Sequence, residues 1–185
     1  MDKIIQEESV EKFTVVGYSL GGRFALTTLS LYTALIDKVY LIAPDGLVEG
    51  NWYLLATGSK FQRFLFRSVL NSYPTFLMIA NWLSKFGLLN KGLLKFAQVH
   101  LQNKEERDRV YNSWTCFRLL KLSPQKLLAI SDVNKIKTTV ILGTYDRIVP
   151  IRKIEPKLIK SRYLTLKKVS ITHHKLFYYN FLDTP

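Results

Sequence analysis

Cysteine is almost absent from the sequence. Cys116 is the only one, so an internal disulfide framework is excluded. Residues 1–12 are charged and contain no apolar signal core, and no uninterrupted apolar run is long enough to span a bilayer. The lack of a signal core and of a membrane-spanning run favours a cytoplasmic protein.

Acidic residues are scarce relative to basic ones. The chain has 14 Asp and Glu against 27 Lys and Arg, a net charge of +13. Such a balance raises the question of nucleic acid or of an anionic membrane as partner. The basic residues are scattered and no nucleic-acid-binding motif is present, so we expect a solvated basic surface and no nucleic-acid partner. A weak contact with anionic lipid headgroups remains open, because the middle of the chain is both basic and aromatic.

The most informative motif is GYSLGG at residues 17–22, directly after the apolar run FTVV. A Gly-x-Ser-x-Gly turn between a strand and a helix strains the serine backbone and exposes its hydroxyl, and the glycines prevent a Cβ clash with the neighbouring strand and helix. The next segment, RFALTTL, has helical apolar spacing, which places the Leu20 amide at a helix N-terminus. The pattern predicts Ser19 as a nucleophile and Leu20 as an oxyanion donor.

Two acidic residues each follow a predicted strand. Residues 138–143 (TTVILG) have the β-branched composition of a buried parallel strand, and Asp146 lies just beyond them. Asp45 follows residues 38–43 (KVYLIA) in the same way, but it lies in a Pro-Asp-Gly sequence that turn geometry alone explains. We therefore predict Asp146 as the functional acid and keep Asp45 as the alternative.

His173 and His174 follow a further predicted strand, residues 163–169 (YLTLKKV). A serine nucleophile needs a base to take its proton, and the base needs a carboxylate that fixes its tautomer. The chain order Ser19, Asp146 and then either histidine meets that need.

Three segments together resemble the signature sites of the α/β-hydrolase fold: residues 17–22, residues 143–150 (GTYDRIVP) and residues 173–176 (HHKL). That fold has its triad in the order Ser, Asp, His. The resemblance implies a hydrolytic site and no metal or organic cofactor.

The resemblance also bears on the choice of histidine. The family commonly has glycine before the histidine and apolar positions shortly after it. With His174 as the base, Leu176 and Phe177 occupy those apolar positions, so we favour His174. His173 is the alternative, with Thr172 in place of the glycine.

The implied fold class is α/β, the C-terminal portion of an α/β-hydrolase, with a mainly parallel sheet and an inserted helical cap. We expect strands near residues 13–17, 38–43, 138–143 and 163–169. The expected core comprises residues 1–47 and 131–185. Residues 48–130 are expected to form the cap, because this segment is helical in period and rich in aromatic residues.

The expected function is that of a serine hydrolase. An aromatic, leucine-rich cap should leave an apolar cavity over Ser19, which favours the ester, thioester or similar acyl bond of a small apolar substrate. The resemblance also implies that the earlier strands and the loop with the second oxyanion donor are absent. One such donor is worth about a hundredfold to a thousandfold in turnover. The alternative is therefore a catalytically impaired, truncated remnant or a binding module of the same fold, associated with a membrane surface.

Overall fold

The computed structural model describes residues 1–89, 94–95, 98–99, 101–158 and 161–181. The chain divides into two compact units. The first comprises Met1–Val48 and Leu120–Pro185, and the second comprises Glu49–Leu119.

The first unit is built on a four-stranded sheet in the order β1-β2-β3-β4. The strands are β1 (Phe13–Tyr18), β2 (Ile36–Ile42), β3 (Lys137–Gly143) and β4 (Leu164–Val169). All neighbouring strands are parallel. The four predicted strands and the α/β class are confirmed.

The described helices are distributed over both units. In chain order they are α1 (Asp2–Glu7), α2 (Gly21–Leu31), α3 (Asn51–Thr57), α4 (Lys60–Asn71), α5 (Tyr73–Lys85), α6 (Lys104–Cys116), α7 (Pro124–Val133), α8 (Ile151–Ile154) and α9 (His173–Leu176). Short 3-10 turns occupy Thr33–Leu35 and Glu155–Lys157. None of these helices has the length and apolar character needed to cross a membrane.

Apolar side chains pack on both faces of the sheet. On one face, Leu26 of α2 and Leu127 of α7 are buried with Val39 of β2 and Val140 of β3. Alternate residues of the same strands form a second cluster, in which Ile141 packs with Leu176 of α9. Burial on both faces explains why the central strands are continuous apolar runs rather than alternating ones.

The second unit is shorter at its C-terminal end than the cap expected from the sequence. We placed the boundary at residue 130, whereas the unit ends at Leu119. The difference arises because α7 packs on the sheet. Leu127 is fully buried in the core of the first unit, and the hydroxyls of Ser131 and Thr138 are hydrogen bonded at 2.8 Å.

The second unit contains helices α3 to α6, and α4 contacts the other three. Ser59 caps α4 through a reciprocal pair of hydrogen bonds with Gln62. The buried guanidinium of Arg107 donates to the carbonyls of Leu70, Leu101 and Gln102, which satisfies backbone acceptors inside the unit.

Candidate active site

The predicted site residues all follow strands of the parallel sheet. Ser19 follows β1, Asp45 follows β2, Asp146 follows β3 and the two histidines follow β4. The carboxyl ends of parallel strands meet at one edge of a sheet, which is where ligand sites of open α/β sheets form.

The turn that carries Ser19 is strained and firmly held. Ser19 has a positive φ of 50°, in the left-handed region that residues other than glycine rarely occupy. Its amide donates to the carbonyl of Ile42 at 2.9 Å, and its own carbonyl accepts from the amides of Gly22 and Asp45, both at 2.9 Å. The sharp strand-to-helix turn predicted from the motif is therefore present.

Two of the three motif glycines are required for steric reasons. A Cβ on Gly17 would lie 2.6 Å from the Cβ of Ala25, and a Cβ on Gly22 would lie 2.7 Å from Pro44. A Cβ on Gly21 would meet nothing within 4 Å. The expected clash thus occurs at Gly17, the expectation is wrong at Gly21, and Gly22 has a clash that the motif did not predict.

His173 lies between Ser19 and Asp146. Its Nε2 is 3.0 Å from the Oγ of Ser19, and its Nδ1 is 2.7 Å from the Oδ2 of Asp146. These bonds suit the neutral tautomer in which Nδ1–H donates to the carboxylate and Nε2 accepts from the serine hydroxyl. The three side chains form a continuous relay of hydrogen bonds.

Asp146 is fixed by its own loop. Its side chain has no exposed surface. The Oδ1 atom accepts from the amides of Ile148 at 2.8 Å and Val149 at 2.9 Å, and Oδ2 accepts from His173. A buried carboxylate with three donors is compensated for its lost hydration and is held in one orientation.

The preference for His174 is corrected by this geometry. His173 is buried and bonded to both partners, whereas His174 is exposed, with its ring centre 6.0 Å from that of His173. The reason is helical periodicity. In α9, His173 and Leu176 lie three residues apart on the buried face, while His174 and Phe177 lie on the exposed face.

Asp45 is engaged elsewhere in the same unit. Its Oδ2 accepts from the Nε of Arg23 at 2.7 Å, and its Oδ1 accepts from the Nη2 at 3.3 Å. Arg23 is 1% exposed and also donates to the carbonyl of Leu120. The structure therefore does not bring Asp45 to either histidine.

Leu20 caps the N-terminus of α2 and its side chain is partly exposed. Within the described residues its amide has no backbone acceptor. A free N–H at a helix start, one residue after the serine, is suitably placed to donate to an anion next to Ser19.

Tyr18 was not predicted as a site residue. Its hydroxyl donates to the backbone carbonyl of His173 at 3.0 Å, and its ring centre lies 5.3 Å from the imidazole. Burial, and then the negative charge of Asp146, raise the pKa of the Tyr18 hydroxyl, which keeps it protonated as a donor. Its position directly before the serine was the only available signal.

An open cleft of about 500 Å³ borders this group of residues. Its lining includes His173, His174, Tyr145, Arg147 and Ile148. Among the described residues no cluster of three or more His, Cys, Asp or Glu side chains could hold a metal ion.

The fold agrees with comparisons to known proteins. The family model described as alpha/beta hydrolase fold matches residues 1–174. The chain therefore belongs to the alpha/beta hydrolase fold family. No curated protein sequence matches it.

Several solved structures are similar. A hydrolase from Pseudomonas aeruginosa PA01 matches with a TM-score of 0.55 and 16% identity, over 96% of this chain and 63% of that one. An esterase from Thermogutta terrifontis matches with a TM-score of 0.55 and 16% identity, over 92% of this chain and 61% of that one. The meta-cleavage product hydrolase CumD from Pseudomonas fluorescens IP01 matches with a TM-score of 0.51 and 16% identity, over 92% of this chain and 61% of that one.

At such low identities the likeness shows the fold alone. The chain spans about three fifths of the length of these structures.

Proposed function

We propose that this chain carries the catalytic triad of a serine hydrolase, formed by Ser19, His173 and Asp146. The observation that supports it is the pair of hydrogen bonds at 3.0 Å and 2.7 Å that joins the serine to the histidine and the histidine to the carboxylate. A strained, partly exposed serine, a base within reach of its hydroxyl and an acid that orients the base are the components of nucleophilic acyl transfer.

The proposed reaction has two steps. The Oγ of Ser19 attacks the carbonyl carbon of the substrate while Nε2 of His173 takes the hydroxyl proton, and the Leu20 amide donates to the oxyanion that forms. His173 then gives the proton to the leaving group, and the acyl group stays on Ser19. In the second step a water attacks the acyl carbon, His173 takes the proton of this water, and the released Oγ recovers it.

The substrate class proposed is an ester, thioester or similar acyl bond of a small apolar molecule. Aromatic side chains lie on one side of the triad: Tyr18 packs against His173, and Phe177 packs against Tyr18. The cleft itself is lined by Ile148 and Tyr145 together with polar side chains such as Thr144 and Arg147, so the aromatic contacts support an apolar substrate group and the polar lining would contact its acyl bond. Hydrolysis of p-nitrophenyl butyrate in preference to p-nitrophenyl glycosides would support this class, and the reverse preference would contradict it.

The decisive experiment is labelling of the purified chain with a fluorophosphonate probe, which reacts with activated serines whatever the natural substrate. Wild type should be labelled, and Ser19→Ala should not. Ser30→Ala is the matched control, because Ser30 is an exposed serine of α2 whose hydroxyl donates to the Leu26 carbonyl. An unlabelled wild type would contradict the proposal, and labelling that persists in folded Ser19→Ala would place the nucleophile elsewhere.

A further inference from the structure

Two adjacent helices of the second unit each expose a stripe of large apolar side chains. On α4 the stripe is formed by Phe61, Phe64 and Leu65, which are 67%, 65% and 46% exposed. On α5 it is formed by Met78, Trp82 and the C-cap residue Phe86, which are 65%, 58% and 61% exposed. Spacings of three and four residues place each set on one face of its helix. We call these six residues the apolar surface.

The sequence segment that carries the apolar surface has charged residues of one sign. Residues 50–103 contain no Asp or Glu. The basic residues of the same segment are Lys60, Arg63, Arg67, Lys85, Lys91 and Lys95. Lys91 lies outside the described residues.

The basic side chains differ in how they are used within the unit. Arg63 donates to the Thr57 carbonyl and Arg67 pairs with Asp108, so both are engaged inside the unit. Lys60 and Lys85 are exposed and directly precede Phe61 and Phe86 in the chain. Each lysine is therefore an exposed cation whose neighbour in the sequence is an exposed ring of the apolar surface.

We propose that the apolar surface docks on an anionic lipid bilayer. A helix with aromatic and aliphatic side chains on one face and lysines at its flanks lies in the interface, with the apolar groups in the acyl boundary and the cations at the headgroups. Anionic lipid supplies the negative charge that residues 50–103 lack.

Charge also argues against a second copy of the chain as the occupant. The chain has a net charge of +13, and the segment that carries the apolar surface offers no acid with which another copy's lysines could pair. Bringing two such surfaces together would place like charges side by side, which is unfavourable. A bilayer rich in phosphatidylserine removes that repulsion.

The proposal can be tested with the full chain and lipid vesicles. Flotation with vesicles of phosphatidylcholine containing about 30% phosphatidylserine should recover the protein with the lipid, and vesicles of phosphatidylcholine alone should recover much less. Raising the salt to about 0.5 M should weaken binding, because the Debye length shortens. Tryptophan fluorescence should shift to shorter wavelength when Trp82 enters the interface.

Two variants separate the apolar and the electrostatic contributions. Phe64→Ser, Trp82→Ser and Phe86→Ser combined should lower vesicle affinity at least about tenfold. Its control is Leu31→Ser, because Leu31 is 71% exposed on α2 in the first unit. Lys60→Gln with Lys85→Gln should lower affinity about thirtyfold, whereas the exposed pair Lys126→Gln with Lys153→Gln should lower it much less.

Three outcomes would overturn the proposal. The first is failure to bind the anionic vesicles, or equal binding by wild type and both surface variants. The second is lipid-free self-association that the triple serine variant abolishes, which would identify a second copy as the occupant. The third is tighter binding to a single-stranded oligonucleotide than to vesicles, lost in the same variants. Ser19→Ala should bind vesicles as wild type does, so this test is independent of the proposed hydrolysis.

Discussion

Arg23 and Asp45 form a two-point ion pair directly behind the turn that carries Ser19. The Nε of Arg23 lies 2.7 Å from one carboxylate oxygen, and the Nη2 lies 3.3 Å from the other. The amide of Asp45 donates to the carbonyl of Ser19 at 2.9 Å. The ion pair therefore joins the start of α2 to the loop after β2, and the amide of that loop is hydrogen bonded to Ser19.

Asp45→Asn should cost stability and leave the serine reactive. The substitution removes the Asp45 charge from the buried Arg23 guanidinium, and because the aspartate is partly exposed the loss should be limited to about 1–3 kcal/mol of unfolding free energy. The rate of fluorophosphonate labelling should stay within about threefold of wild type, because Asp45 contacts no histidine. Urea denaturation and labelling kinetics on the same preparation measure both quantities.

Asp146→Asn should have the opposite effect: the serine should lose its reactivity while the protein stays folded. An asparagine amide facing Nδ1 favours the wrong imidazole tautomer, and labelling should fall about a thousandfold or more. Circular dichroism should show a folded protein, since the amide keeps the size of the carboxylate. If Asp146→Asn were labelled normally and Asp45→Asn were folded but unlabelled, the acid would have to be assigned to Asp45, after the earlier strand.

His173→Ala and His174→Ala should separate the two neighbouring imidazoles. Only His173 reaches both Ser19 and Asp146, so its removal should lower the labelling rate by several orders of magnitude. His174 is exposed, and its removal should change the rate less than about threefold. Equal losses in the two variants, or the reverse order, would contradict the assignment of the base.

The four strands could be predicted because buried parallel strands are short, β-branched and apolar, and these runs are plain in the sequence. The GYSLGG turn likewise depends on local sequence, and the order Ser, Asp, His can be taken directly from the chain. The geometry does not support the preference for His174, for a physical reason. Residues 173–176 form a turn of helix, and the match of Leu176 and Phe177 to family positions does not take that turn into account.

In a helical turn a buried leucine three residues after a histidine shares its face. Leu176 therefore lies on the same buried face as His173, and the exposed Phe177 lies on the same face as His174. The ion pair of Arg23 with Asp45 and the bond from Tyr18 to His173 join residues 22 and 155 positions apart, and no local pattern encodes them. Such contacts follow only from the order of the strands.

Tyr18→Phe should change how stability depends on pH. The raised pKa of Tyr18 means that the folded state holds the phenolic proton more tightly than the unfolded state, whose value is near 10.0. Its stabilising contribution is therefore present below pH 10.0 and is lost as pH rises through the raised value. Wild type should lose more unfolding free energy than Tyr18→Phe between about pH 9 and 11.

Urea denaturation across that range measures the difference. Tyr178→Phe is the control, because this side chain is 85% exposed. Tyr18→Phe should also slow labelling severalfold at neutral pH, since the His173 carbonyl loses its donor. Parallel stability curves for wild type and Tyr18→Phe would show that the hydroxyl has no such linkage.

Gly22→Ala and Gly21→Ala should differ sharply although they are neighbours in one motif. A methyl group at Gly22 would meet the backbone and ring of Pro44 at 2.7 Å, so the start of α2 or the loop after β2 must shift, at about 1–3 kcal/mol of unfolding free energy. The same group at Gly21 meets open space, and the helical position favours alanine, so stability should be unchanged or up to about 1 kcal/mol higher. Thermal denaturation of both variants measures this contrast, and a Gly21→Ala variant less stable than Gly22→Ala would show that helix α2 approaches the loop after β2 in a different way.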